Sequence, residues 1–286
     1  MGREENVIIF QDTESLARSN ARLLLAVKES TANQKLILEQ EQVCDVFGKA
    51  DLKRNRYKDK AKVVVSKKRS FEAASAYTGD KICVHNFASA TTPGGGVVKG
   101  SSAQEECLCR CSTLYFSLNT PAMWDGFYTP HRAAQDPVHN DDCIYTPGVV
   151  VMKSDTASPV LMLEEEWFAV DVITCAAPNL RLMPSNQMNP GDGNKRAKLS
   201  EEDLRKLHEK RWTRILDVAL AAEDDVVILG AFGCGAFENN PEVVAQAART
   251  VIENYLHSFK TIEFAVYCSP RDETNYQIFQ KTMSTL

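Results

Sequence analysis

The 286-residue sequence predicts an α/β layered fold, a mixed or parallel sheet flanked by helices. Two observations predict it. Short β-branched apolar runs alternate along the chain with amphipathic stretches of helical period. Several of those stretches also open with helix-start chemistry, such as Ser200 before 201–222 and Asn240-Pro241 before the next. With 44% hydrophobic and 25% charged residues, the composition is that of an ordinary globular protein, which excludes collagen-like, coiled-coil and wholly disordered chains.

Each element can be justified in chain order. From about residue 13 to 46 the chain reads as helical. Leu16, Leu23, Leu24 and Val27 fall near a 3.6 period, and Leu36, Ile37 and Val43 continue it. Residues 1–60 are therefore expected to form a helical extension accessory to a core domain of residues 61–286. From Lys49 to Arg69, ten Lys or Arg stand against two Asp, a local charge of +8 in a chain of net charge −5. That stretch is either a solvated, mobile segment or a patch that attracts a polyanion. Residues 63–65 form a first short strand and 81–87 (KICVHNF) a second. Residues 104–118 read as a helix. Residues 144–152, with Pro147-Gly148 inside, read as a short hairpin or two edge segments. Residues 169–176, 225–230 and 261–267 are buried strands; 201–222, 241–257 and 272–283 are helices. Two stretches, 121–142 and 178–198, carry Pro, Asn and Gly throughout and read as long loops, the usual sites of function or mobility. The aromatic residues Trp124, Phe127, Tyr128 and His131 mark the first as a packed loop.

No run approaches the ~20 apolar residues of a membrane helix. The first 20 residues lack the basic and apolar regions of a signal peptide, so a cytoplasmic location is expected. The nine cysteines are an odd, scattered set, expected to be free thiols in a reducing compartment. Cys107-x-Cys109-x-Cys111 lacks the spacing of zinc ligands and reads as helix thiols, so no metal and no cofactor is expected.

Three constellations can carry chemistry. Thr92-Pro93-Gly94-Gly95-Gly96-Val97 follows the 81–87 strand, and its glycines let backbone N–H groups close around a phosphate. A flexible turn is the plainer alternative. Gln104-Glu105-Glu106 opens the next helix. Acidic residues there suit the helix dipole. Beside a phosphate loop, however, repulsion would raise a carboxyl pKa towards that of a general acid. Successive helical residues point ~100° apart, so the two glutamates cannot share one role. Gly233-Cys234-Gly235-Ala236-Phe237 lies between a buried strand and a helix start, a second cradle of the same kind. It is not the dinucleotide fingerprint, because the GxGxxG order is absent.

Taken with Asn86-Phe87-Ala88-Ser89, a triple glycine followed seven residues later by Gln-Glu-Glu resembles the signature of macrodomain-type poly(ADP-ribose) glycohydrolases. The runs Pro130 to Asp136 and Asn186 to Asp192 are similar to the microbial-type branch. The resemblance implies a macrodomain, a three-layer α/β/α sandwich that binds ADP-ribose. It implies Glu106 as catalytic acid/base, with Glu105 and Gln104 holding the adjacent ribose. Gly94, Gly95 and Gly96 are implied against the diphosphate, with Val97 closing the loop. Gly233, Cys234, Gly235 and Ala236 form its second wall, Phe237 contacts the ribose, and Asn86 and Ser89 lie beside the terminal ribose.

The implied activity is hydrolysis of ribose–ribose bonds in poly(ADP-ribose). The alternatives are removal of single ADP-ribose units from a protein or nucleic acid, and a non-catalytic ADP-ribose reader. The expected partners are ADP-ribose, its polymer and ADP-ribosylated proteins, with no membrane and no nucleic acid, for a chain acting as a monomer. A nucleic-acid-binding protein led by residues 49–69 is the most distant rival; its binding would fall steeply with salt.

Overall fold

The computed structural model describes residues 2–269 and 271–286. In chain order the elements are α1 (Arg3–Ser19), α2 (Ala21–Asn33), β1 (Lys35–Ile37), α3 (Val43–Phe47), β2 (Lys62–Ser66), α4 (Ser70–Ala74) and β3 (Ile82–Phe87). They continue with α5 (Gln104–Cys111), α6 (Leu114–Leu118), α7 (Pro121–Met123), α8 (Thr129–Ala134), β4 (Cys143–Val151), β5 (Phe168–Cys175) and α9 (Glu201–Ala221). The last are β6 (Val226–Leu229), α10 (Pro241–Ile252), β7 (Thr261–Ala265) and α11 (Thr274–Met283). Helix starts follow the sequence: Ser200 Oγ accepts from Asp203 N at 3.1 Å, and Asn240 Oδ1 from Glu242 N at 3.0 Å.

The seven strands form one mixed sheet in the order β1-β4-β5-β3-β6-β7-β2. β4 is antiparallel to both β1 and β5, and every other pair is parallel. Strand side chains alternate between two faces. Cys83, Val227 and Phe264 join α9, α10 and α11 in one buried cluster. Ile82, Val84, Val226 and Ile228 join α1, α4, α5 and α6 in the other. The sheet is thus the middle of three layers, and both of its faces are dry, as a largely parallel sheet requires.

Four local expectations need correction. The helical reading of 13–46 becomes two helices, the edge strand β1 and the short α3. Asn20 breaks the first run: its backbone is extended, and its side chain caps α2 by accepting from Arg22 N at 2.9 Å and Leu23 N at 3.2 Å. Lys35–Ile37 then pairs with Cys143 to Tyr145, so the segment 1–60 supplies a strand of the sheet. Residues 144–152 are neither a hairpin nor edge segments but part of one internal strand. Gly148 absorbs the Pro147 interruption as a bulge between Thr146 and Val149, and its N–H turns to Asp171 Oδ1 at 2.9 Å.

Residues 104–118 are two helices, because the Ser112 hydroxyl takes the Leu114 N–H at 3.2 Å while Ser112 bridges to Val151. Residues 121–142 are largely helical, with Thr120 capping Met123 N at 3.4 Å and a π-helical turn at Trp124–Tyr128. That segment is packed through fully buried Phe127 and Tyr128. Among the described residues, no helix is long and apolar enough to cross a membrane.

Candidate active site

Ligand crevices in open α/β sheets lie beyond the carboxyl ends of the strands, where the strand order departs from the chain order. Here β3 sits between β5 and β6, and the segments leaving β3, β6 and β7 enclose a cavity of about 640 Å³. Both glycine loops and the start of α5 meet in it. Ser89, Gly95, Gly96, Gln104, Glu105, Glu106, Gly233, Gly235, Ala236 and Phe237 line the wall. Asn86, Gly94, Val97 and Cys234 do not. Asn86 lies behind Glu105 and Val97 is fully buried. Gly94 backs onto Tyr115, and the Cys234 thiol turns to Phe232 O.

The α5 start is wired to β3. Gln104 Oε1 accepts from Phe87 N at 2.9 Å, while its Nε2 donates to His85 O at 2.8 Å and Ser70 Oγ at 2.9 Å. Its amide is therefore spent on the scaffold, and it fixes the angle at which the glutamates enter. Glu105 is 3% exposed; Oε1 accepts from Asn86 Nδ2 at 3.2 Å and Oε2 from Ser89 N at 2.8 Å. Glu106 is 7% exposed; Oε1 accepts from Gly96 N at 2.9 Å, and Oε2 has no partner.

Burial, followed by the charge of Glu106, pushes the Glu105 carboxyl up to about 8. Burial pushes Glu106 up as well, against the Gly96 N–H and the Arg110 charge. Two adjacent buried carboxyls are best treated as a pair that titrates together. Both oxygens of Glu105 face donors, whereas Oε2 of Glu106 faces none.

The triple glycine is dictated by this pair. Gly95 has φ +57°, and a Cβ built on it would stand 2.5 Å from Glu106 Oε1 and 3.1 Å from Glu105 Oε2. Only glycine lets the loop backbone close on both carboxylates. The second loop returns from β6 and is held by Asn239, whose Nδ2 donates to Pro178 O at 2.8 Å and Gly233 O at 3.1 Å. Phe237 carries the Arg181 guanidinium 5.5 Å above its ring.

Residues 4–154, just over half the chain, match the family model described as microbial-type PARG, catalytic domain. The chain belongs to that family. It is similar over its whole length to solved poly(ADP-ribose) glycohydrolases. The Thermomonospora curvata enzyme matches with a TM-score of 0.81 at 26% identity, covering 98% of this chain and 100% of that one. The same enzyme bound to the inhibitor ADP-HPD gives 0.79 at 26%, over 97% and 99%. The Deinococcus radiodurans enzyme in complex with ADP-ribose gives 0.74 at 28%, over 91% and 97%. No curated protein matches.

This PARG-family cavity also holds residues that sequence reasoning did not single out for it, among them Arg3, Asn6, Arg69, Arg181, Asn189 and Tyr267. Arg3 and Asn6 come from α1, where Asn6 Nδ2 donates to Gly100 O at 2.9 Å; nothing local in the sequence signals this. Arg69 is the last cation of the basic segment. It stacks 4.0 Å over Tyr267 and donates to the Cys107 thiol at 3.1 Å. Of the other cations there, Lys49, Arg54, Arg56 and Lys67 pair with Glu223, Asp217, Asp225 and Glu273. Much of the local +8 is thus matched by neighbouring acids. Arg132, His131 and Gln135 lie outside the cavity wall. The first donates to Thr91 O at 2.6 Å, and His131 is buried between Phe127 O and Asn140 Oδ1 at 2.7 Å each.

Proposed function

We infer that this chain hydrolyses O-glycosidic ribose–ribose bonds in poly(ADP-ribose) and releases ADP-ribose. The observation that carries the reading is Glu106: buried, lining the cavity, with one oxygen held by Gly96 N and the other free to carry a proton. A pure reader of ADP-ribose has no need for that arrangement. The diphosphate lies between the Gly95-Gly96 turn and the Gly233 to Phe237 loop, with Phe237 against the ribose and Ser89 near the terminal ribose.

The reaction begins when Glu106 gives its proton to the departing 2′-oxygen of the neighbouring unit, and the C1″–O bond breaks. The ribose becomes oxocarbenium-like, stabilised by its own diphosphate, while Glu105 holds the ribose. Glu106 then takes a proton from the attacking water, whose oxygen bonds to C1″. Ordinary glycosidases place two carboxyls ~5–9.5 Å apart on opposite sides of the bond. Here both carboxyls converge on Gly95, on one side of the loop, which supports a single acid/base.

Asn86 acts from behind by holding Glu105, and Gln104 by orienting α5. The polymer carried by ADP-ribosylated proteins is the natural substrate on this reading. On this reading the enzyme acts as a monomer. Nine free cysteines fit a reducing compartment such as the cytoplasm.

The test is incubation with poly(ADP-ribose) and with mono-ADP-ribosylated protein, using the wild type and Glu106→Gln. Release of ADP-ribose from the polymer by the wild type, lost in the variant, is expected. No release from either substrate would sink the enzyme reading, and binding without release would make the chain a reader.

A further inference from the structure

The runs Pro130 to Asp136 and Asn186 to Asp192 take no step in that reaction, yet the structure gathers both around the Ser89–Thr92 turn. At the centre is Asp192, with no exposed surface. Its Oδ2 accepts from Asn179 Nδ2 at 2.7 Å and from Asn189 Nδ2 at 2.6 Å. Its Oδ1 stands 3.3 Å from His139 Nε2 and 3.2 Å from Thr91 Oγ1. Asn179 and Asn189 thus hold Oδ2, while the Thr91 hydroxyl is shared with Pro190 O at 2.8 Å and His139 Nε2 makes no hydrogen bond. Burial alone would raise this carboxyl, but His139, Asn179 and Asn189 together hold it below the usual range.

From Asp192 a continuous set of contacts reaches the paired glutamates. Asn189 spends its amide N–H on Asp192 and offers Oδ1 to Ser89 Oγ at 2.6 Å. Ser89 N in turn donates to Glu105 Oε2 at 2.8 Å. The first run braces the turn from outside: Arg132 Nε donates to Thr91 O at 2.6 Å, with its guanidinium 4.7 Å over Trp124. We propose that Asp192 is a positioning residue, acting through Asn189 and Ser89 to hold Glu105 against the terminal ribose. The inference rests on the glycohydrolase reading of the site. An alanine at 192 removes both carboxylate oxygens, so Asn189 Nδ2 would lose the acceptor that anchors it.

The test compares Asp192→Ala, Asn189→Ala and the double variant. It measures kcat and KM on poly(ADP-ribose), the Kd for ADP-ribose, and the melting temperature. Each single change is expected to lower kcat by ~10- to 100-fold, the loss typical of a misplaced reacting group. The double variant should be no slower than Asn189→Ala alone, within about twofold, because both changes cut one relay. A purely structural Asp192 would instead lower stability and multiply the losses; multiplied losses overturn the proposal.

Asn189→Ala leaves the carboxylate in place and decides the matter even where Asp192→Ala does not fold. A kcat within about threefold of wild type would leave Asp192 no route to Glu105, which overturns the relay. Inactivity of the wild type would fail the glycohydrolase reading instead. The relay would then be judged by whether the variants weaken ADP-ribose binding non-additively.

Discussion

Gly95→Ala isolates the contact between the glycine loop and Glu106. At φ +57° an alanine costs about 1–2 kcal/mol of backbone strain. Its Cβ would lie 2.5 Å from Glu106 Oε1, where real contacts essentially never fall below 3.0 Å. The carboxylate must therefore retreat by at least about half an ångström and release the Gly96 N–H that it accepts at 2.9 Å. Oε1 is the end of a flexible side chain, so the retreat adds little to the stability loss. For catalysis, a misplacement approaching ~1 Å costs ~10²-fold, or about 2.7 kcal/mol of barrier.

Two glycines serve as controls. Gly48 has φ +63° with nothing within 4 Å, so Gly48→Ala should show the strain alone. Gly235 has nothing within 4 Å and no left-handed backbone, so Gly235→Ala should leave stability unchanged. The assay is kcat on poly(ADP-ribose) beside denaturant unfolding. Gly95→Ala and Gly48→Ala should lose similar stability, and of these two Gly95→Ala alone should lose about two orders of magnitude in kcat. A Gly95→Ala enzyme within about threefold of wild type would refute the claim that this turn seats the catalytic carboxyl.

Other expectations follow from the same geometry. Glu106→Gln should abolish release while keeping ADP-ribose affinity, read by calorimetry. Glu105→Gln should lower kcat yet leave measurable turnover, and the reverse ranking would exchange the two roles. The unfolded Glu105 carboxyl titrates near 4.5, whereas in the fold, buried beside Glu106, it keeps its proton up to about 8. The folded state binds the extra proton, so its stabilisation is complete below pH 4.5 and is lost as pH rises through about 8. Melting temperature should decline over that window with a shallower slope in Glu105→Gln. Buried Arg211 donates to Asp141 at 3.0 Å, Ala176 O at 2.9 Å and Val138 O at 2.7 Å. Arg211→Met should cost about 3 kcal/mol in chemical denaturation; a loss under ~1 kcal/mol would deny its bracing role.

The sequence by itself determined the layered class and the main residues of the candidate site. Apolar runs such as 169–176 cannot stay wet, and Ser200 and Asn240 mark helix starts through chemistry contained within a turn. The glycines at 94–96 and the glutamates at 105 and 106 are legible for a similar reason: backbone freedom and charge are properties of the residues themselves. What depended on distant partners was not legible. Residues 35–37 are too few to announce a strand and become one only beside Cys143 to Tyr145. Arg3, Arg69 and Tyr267 reach one cavity from three distant segments. The free oxygen of Glu106, the two donors on Glu105 and the Asp192 hub are likewise set by which groups the fold brings within 3.5 Å. Hydrogen-bond partnership and burial are pairwise properties of the folded chain, so only the tertiary structure could assign them.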